Sequence, residues 1–229
     1  MRAYTSLAGH ILGSHPRING YYEMHLGYEA PAALDRQLAL YQQSDALKPG
    51  SRYLFDKLLH NEFVLKPERL GEVVECRILL SLAQPERTIK SIVHLYRQKE
   101  GGELYASPVE AARYYIERVQ SLGEFAQAHP GCFYFDAELW QRAPEQLLPR
   151  LTAWLELDPP LSERYQTFSQ TGKPLKGDSS PRIHTGSIDK SRVDYSHIAI
   201  PEDALGAARE AYRECREVII TNAADSVLA

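Results

Sequence analysis

The chain has 229 residues with 30 acidic against 26 basic side chains, a net charge of −4, and 44% hydrophobic residues. That balance describes an ordinary globular chain able to bury a sizeable core. It supplies no general basic footprint, which argues against nucleic acid and anionic membrane surfaces as partners, so any anion site must be built locally.

The three cysteines, Cys76, Cys132 and Cys215, are odd in number and form no C-x-x-C pair. They argue against a disulfide framework or a zinc site and for a reducing compartment. Cys76 and Cys132 lie in apolar, strand-like runs and read as buried inert thiols. No window approaches the ~20 apolar residues of a membrane span. The start lacks the basic, apolar and small-residue pattern of a signal peptide. The expected location is cytoplasmic.

Residues 5–14 predict a helix, with Leu7, His10, Ile11 and Ser14 on one face and Thr5 or Ser6 as its cap. His15-Pro16 ends it, because a residue before proline avoids the helical region. Pro31 opens a second helix carrying Ala33, Leu34, Leu38, Leu40 and Tyr41, with Gly50 as a stop signal. Tyr53 to Phe55 predicts a short buried strand. The near-continuous apolar run VVECRILLSL, residues 73–82, predicts a strand covered on both faces.

Pro85 then stands at a helical N1 position, followed by Ile89, Ile92, Val93 and Tyr96 at helical spacing. Gly101-Gly102 marks a turn. S-P-V-E, residues 107–110, has the form of a capping box. The helix it opens runs to about Ala128, with Val109, Ala112, Ile116, Val119, Leu122 and Phe125 on one stripe. HPG breaks that helix, and CFYFDAE follows as a strand. Pro144 starts a further helix with Leu147, Leu148, Leu151, Trp154 and Leu155, ending at Asp158-Pro-Pro. Residues 166–199 are rich in Gly, Ser, Lys and Pro and read as loop. A last helix follows Pro201, using Leu205, Ala208, Tyr212, Cys215 and Ile219; it reads as core or as a homodimer interface.

Short apolar strands alternating with helices predict an α/β fold with a mainly parallel sheet. Ligands in such sheets bind beyond the carboxyl ends of the strands. The segments that matter are then Glu23, Lys57-His60-Asn61, Ala83-Gln84-Pro85 and Asp136-Glu138.

Four segments together resemble the sulfotransferase family, whose members use 3′-phosphoadenosine 5′-phosphosulfate as sulfuryl donor. RAYTSLAGHILGSHPRINGYYE is similar to the bacterial family's R-S-G-[ST]-T loop, its helix and the following L-x-S-H-P-x-I-x-G-x-x-E. YLFDKLLHN resembles an apolar strand ending in Asp/Glu-Lys-x-P-x-N. ILLSLAQPERTIKSIVHLYR looks like the strand and helix L-L-x-R-D-P-x-x-x-x-x-S. CFYFDAELWQRAPEQLLPRLTAWLELD is similar to Y-E-x-L…P…L-x-x-x-F-L-x-L. KPLKGDSSPRIHTGSI resembles the family's nucleotide-covering Gly-Asp loop. The resemblance spans about residues 2–190 in the family's order.

It implies a P-loop-NTPase-like, three-layer α/β/α domain over 1–229, with 166–199 covering the nucleotide and 200–229 as a C-terminal helix. It implies transfer of a sulfuryl group to a hydroxyl or amine of a small molecule or carbohydrate, without a metal. Arg2, Ala3, Tyr4, Thr5 and Ser6 would form the phosphosulfate loop. Glu23 would be the base, with His25 and His60 as alternatives, and Lys57 would stabilise the leaving phosphate oxygen. Ser91, Arg87, Lys176, Gly177, Asp178 and Arg182 would hold the rest of the nucleotide.

Three positions depart from the family pattern. Met1 stands where the family's central strand would precede the loop, so the sequence is expected to be truncated or its sheet to lack that first strand. Ala3 and Tyr4 replace Ser and Gly, and a positive φ at Tyr4 would be strained. Ala83 replaces the 3′-phosphate arginine, for which Arg87 or Arg182 would substitute. These departures favour a degenerate, non-catalytic nucleotide-binding module as the rival reading. A nucleotide phosphotransferase is disfavoured, since G-x-x-x-x-G-K-[ST] is absent. On the residues alone, Thr5 and Ser6 are equally simple helix caps, Glu23 a surface carboxylate, and Lys57 the partner of Asp56 or another acid.

Overall fold

Eight α-helices and two short, all-parallel sheets make a mixed α/β structure among the described residues of the computed structural model. Those residues are 3–58, 63–98, 101, 104–177, 180–191 and 193–229. They divide into two compact units. Unit 1 comprises Ile78–Leu139 and Ser191–Ala229 together with Ala3, and unit 2 comprises Tyr4–Arg77 and Trp140–Lys190. No helix among the described residues is long and apolar enough to cross a membrane.

In unit 2, α1 (Thr5–Ser14) leads into β1 (Ile18–Asn19), which pairs in parallel with β2 (Tyr53–Leu54). Between them lies α2 (Ala32–Gln42), and α3 (Pro67–Leu70) follows β2. Glycines set the distance between α1 and the segment that returns beside it. A Cβ at Gly9 would come to 2.5 Å from the Tyr21 carbonyl oxygen, and one at Gly13 to 2.5 Å from that of Gly20. Gly20 adopts φ 83 and faces the backbone of Phe55. The S-H-P-x-I-x-G signature is thus largely a packing device. Ser14 Oγ donates to the His10 carbonyl (2.7 Å) and accepts from the Gln166 N–H (2.7 Å). His15 Nδ1 accepts the Arg17 N–H (3.1 Å), which leaves Nε2–H to donate to the Pro159 carbonyl (2.6 Å). The unit closes with α6 (Leu139–Arg142), at its boundary, and α7 (Pro144–Trp154).

Unit 1 carries β3 (Leu79–Leu82), α4 (Pro85–Tyr96), α5 (Pro108–Ala128), β4 (Phe133–Asp136), α8 (Glu202–Asn222) and β5 (Asp225–Val227). The strand order is β3-β4-β5. The core joins Leu80, Leu82, Ile89, Ile92, Val93, Tyr115, Val119, Tyr134, Ala208, Cys215 and Ile219. α5 packs on α8 at Gly123, where a Cβ would lie in ordinary contact, 3.4 Å, with Cys215 Sγ.

Several expectations are corrected. The strand expected over 73–82 is confined to 79–82, and Val73 is 62% exposed. Its neighbour among the described residues, β4, is four residues long, and the ladder ends where the Ile78 carbonyl accepts the Phe133 N–H (2.9 Å), so residues 73–77 lie beyond it. The strand's burial also alternates, rather than being complete on both faces. Cys76 therefore lies in no strand and is only partly buried, whereas Cys132 is buried. The C-terminal segment 200–229 is not all helix: α8 ends at Asn222, and Asp225–Val227 pairs in parallel with β4. Three residues are too few to display a period. The capping box at Ser107 does not form, because Ser107 makes no side-chain cap and Glu110 turns to Arg113 (3.0 Å). Neither Thr5 nor Ser6 caps α1; the cap position is Tyr4.

Candidate functional site

Parallel pairing of β1 and β2 places both carboxyl ends at one edge. Glu23 follows the first strand and Lys57 the second, so both reach that edge. Because α1 runs antiparallel to β1, its first turn lies at the same edge. Three segments separated in sequence therefore meet there.

Lys57 Nζ ion-pairs with Glu23 Oε1, and the two side chains are only 11% and 13% exposed. Lys57 Nζ also donates to Ser6 Oγ (3.2 Å). Glu23 is thus no surface carboxylate, and Lys57 does not pair with the adjacent Asp56. That acid does another task. Its Oδ1 accepts the Met24 N–H (2.9 Å) and its Oδ2 accepts the Tyr28 hydroxyl (2.7 Å). The neighbouring pairs Glu23-Met24 and Asp56-Lys57 are in this way cross-linked twice. Burial raises the Asp56 carboxyl above its ordinary range despite these donors. Burial likewise drives the Tyr28 hydroxyl well upward, so it stays a proton donor to Asp56.

The segment ending at Gly177 closes over this cluster. Gly177 has φ 118, and a Cβ there would lie 2.8 Å from Ser6 Oγ and 3.5 Å from Lys57 Nζ. Lys176 Nζ stands 5.1 Å above the Tyr22 ring. His25 Nε2 lies 3.8 Å from Glu23 Oε2 and 2.6 Å from the Leu175 carbonyl oxygen.

Thr5 is the first residue of α1, which opens without a side-chain cap. The first N–H groups of a helix have no intrahelical acceptor and form the positive end of its dipole. A hydroxyl, a largely covered ammonium and an uncapped helix start together can hold a sulfate or phosphate oxygen. Tyr4 takes the left-handed conformation, φ 56, that the sequence flagged as strained, while its hydroxyl donates to Gln141 Oε1 (2.9 Å).

The remaining expected residues have surroundings of their own. Arg182 Nε pairs with Asp189 Oδ2 at 3.5 Å. In unit 1, Arg87 and Ser91 share a face of α4: the Arg87 guanidinium lies 5.5 Å from the Tyr195 ring centre, and the Tyr195 hydroxyl donates to Ser91 Oγ (3.3 Å). Ala3 is buried, and the Ala83 carbonyl accepts the Tyr115 hydroxyl (2.7 Å). Glu138 Oε1 accepts the Gln84 N–H at the start of α4 (2.7 Å). Asp136 is bound by Arg216 through both its oxygens (2.8 and 2.6 Å). Arg2, His60, Asn61 and Asp178 fall outside the described residues.

Sequence reasoning missed Tyr28 and Leu175. The sequence offered Asp56 or another acid as the partner of Lys57, and the partner is the other acid, Glu23. No group of three or more His, Cys, Asp or Glu side chains among the described residues is arranged to hold a metal. No protein-family model matches the chain, and no curated protein matches it.

Proposed function

We propose that this chain is a sulfotransferase with a P-loop-like fold, moving a sulfuryl group from 3′-phosphoadenosine 5′-phosphosulfate to a hydroxyl or amine of a small molecule or carbohydrate. The observation that carries the reading is the meeting of Ser6, Glu23 and Lys57 at the uncapped start of α1, beneath Gly177. Sulfuryl transfer needs positioning and charge stabilisation more than covalent catalysis, as phosphoryl transfer does. The Ser6 hydroxyl and the first N–H groups of α1 hold the phosphosulfate. Lys57 turns from Glu23 to the bridging oxygen as the donor arrives, which frees the carboxylate. Glu23 then takes the acceptor's proton while the acceptor oxygen or nitrogen bonds to sulfur. The bond from sulfur to the bridging oxygen breaks, and the leaving bisphosphate keeps the electron pair, stabilised by Lys57. The free cysteines suit a cytoplasmic setting.

A second reading, a binding module without turnover, is favoured by the Glu23–Lys57 ion pair itself, which occupies both reacting groups. Thermal unfolding with adenosine 3′,5′-bisphosphate, with ATP as control, is the first test. At ~100 times its dissociation constant a ligand adds about 2.7 kcal/mol. A selective rise that Lys57→Ala abolishes is expected, followed by sulfate transfer that Glu23→Gln abolishes. Binding without transfer to any acceptor leaves the module reading; a flat response from folded protein overturns both.

A further inference from the structure

The segment 168–177 is held in two different ways. Its root is anchored densely. Phe168 stacks on Tyr21 with ring centres 4.2 Å apart, and the Gln170 N–H donates to the Tyr21 hydroxyl (2.9 Å). Gln170 Nε2 donates to Ser44 Oγ (2.7 Å), Ser169 Oγ to Asp45 Oδ2 (3.1 Å), and Thr171 Oγ1 meets His10 Nε2 at 2.9 Å.

The tip is different. Leu175 is 78% exposed with φ 61, and its carbonyl accepts from His25 Nε2 at 2.6 Å. His25 is itself left-handed, with φ 55. Side chains with a Cβ enter this region at a cost, and they persist where the surroundings over-determine them. Here two such residues face each other across one hydrogen bond. The same Nε2 lies 3.8 Å from Glu23 Oε2. An imidazole nitrogen carries one hydrogen, so it serves Leu175 or Glu23 but not both.

We infer that His25 is a positioning residue that latches the 175–177 tip over the Ser6–Lys57–Glu23 cluster and releases Glu23 in doing so. With the tip down, the Nε2–H is committed to the Leu175 carbonyl and Glu23 is left to Lys57. With the tip raised, the Nε2–H turns to Glu23 Oε2, and the carboxylate is then occupied by a second donor. Closure over the cluster and availability of the base become one event. The consequence for catalysis rests on the proposed function; the latch does not.

The test uses ligand-free, full-length protein. Trypsin cleavage after Lys176 is followed by mass spectrometry and expressed relative to cleavage at other sites. One hydrogen bond is a modest restraint, so His25→Ala is expected to raise that ratio about five- to tenfold. His25→Gln, whose amide can donate to the same carbonyl, is expected to restore most of the protection. An unchanged ratio in His25→Ala overturns the latch, including the case where cleavage rises equally everywhere because the fold is weakened. His25→Gln behaving like His25→Ala overturns it too. A latched tip in a protein that ignores adenosine 3′,5′-bisphosphate would instead count against the sulfotransferase reading alone.

Discussion

Arg216→Met isolates one buried ion pair and carries a pH signature. Asp136, 3% exposed at the end of β4, takes two hydrogen bonds from the Arg216 guanidinium of α8, at 2.8 and 2.6 Å. It also accepts from the Tyr134 hydroxyl (2.7 Å) and the Ala229 N–H (2.8 Å). Methionine keeps the apolar stem and removes the charge, leaving a buried carboxylate with three neutral donors, the third being the Tyr212 hydroxyl (3.5 Å). Removing one partner of such a pair costs about 3–5 kcal/mol, a large part of the ~5–15 kcal/mol that holds a protein folded.

Burial alone would raise the Asp136 carboxyl, but Arg216, Ala229 and Tyr134 outweigh it and hold it below its ordinary value. A depressed carboxyl contributes stability that is complete above the unfolded value, about 3.9, and is lost as pH falls through the folded one. In the variant, burial goes unopposed by a cation, the carboxyl rises, and acid then favours the folded state. The gap between the two proteins is therefore widest near neutrality and narrows toward about pH 3.5. Urea denaturation followed by far-UV circular dichroism at several pH values measures it. A gap below ~1 kcal/mol at neutral pH, or one that does not change on acidification, would refute the reasoning.

The Glu23–Lys57 pair should show the same logic without a net charge change in the double variant. Glu23→Gln and Lys57→Met are each expected to cost about 2–4 kcal/mol, and the double variant less than their sum, with a coupling above ~1.5 kcal/mol; near-zero coupling would mean the pair is effectively solvated. Lys48 donates to the carbonyls of Gly13, His15 (2.9 Å) and Ile18 (2.7 Å), so Lys48→Met should cost about 2–3 kcal/mol by urea denaturation. Gly20→Ala should cost more than ~2 kcal/mol, since its Cβ would strike Phe55 at φ 83, whereas Gly101→Ala, at φ 74 with nothing within 4 Å, should lose only the ~1 kcal/mol of backbone strain. Equal melting temperatures for the two glycine variants would remove the close-approach argument.

What could be read from the sequence was what one residue or one period dictates. Pro85, Pro108 and Pro144 open α4, α5 and α7 because a fixed φ and a missing N–H suit the first helical turn. Glu23 and Lys57 were legible because each follows a strand, and parallel pairing does the rest. Properties fixed by a distant partner were not legible. Val73 and Val74 are as apolar as Leu80 and Leu82, yet only the latter have β4 beside them. Ser107 looks like a cap, but nothing in S-P-V-E reveals that Glu110 prefers Arg113. Tyr28 gave no sign that it would hold Asp56, and hence Lys57, in place.

The distribution of backbone strain bears on the proposed anion site. Among the described residues, four other than glycine have positive φ: Tyr4, His25, Glu156 and Leu175. Tyr4 stands two residues before Ser6, His25 two after Glu23, and Leu175 two before Gly177. A helix start needing only a cap would have a Ser or Asp there bonded to its first N–H groups, at no conformational cost. This one has a left-handed tyrosine with no cap bond, tied through its hydroxyl to Gln141. Strain of this kind survives where the surrounding structure enforces it, and such places are often ligand clamps. Three of the four stand within two residues of Ser6, Glu23 or Gly177 in the sequence, which supports the proposed anion site.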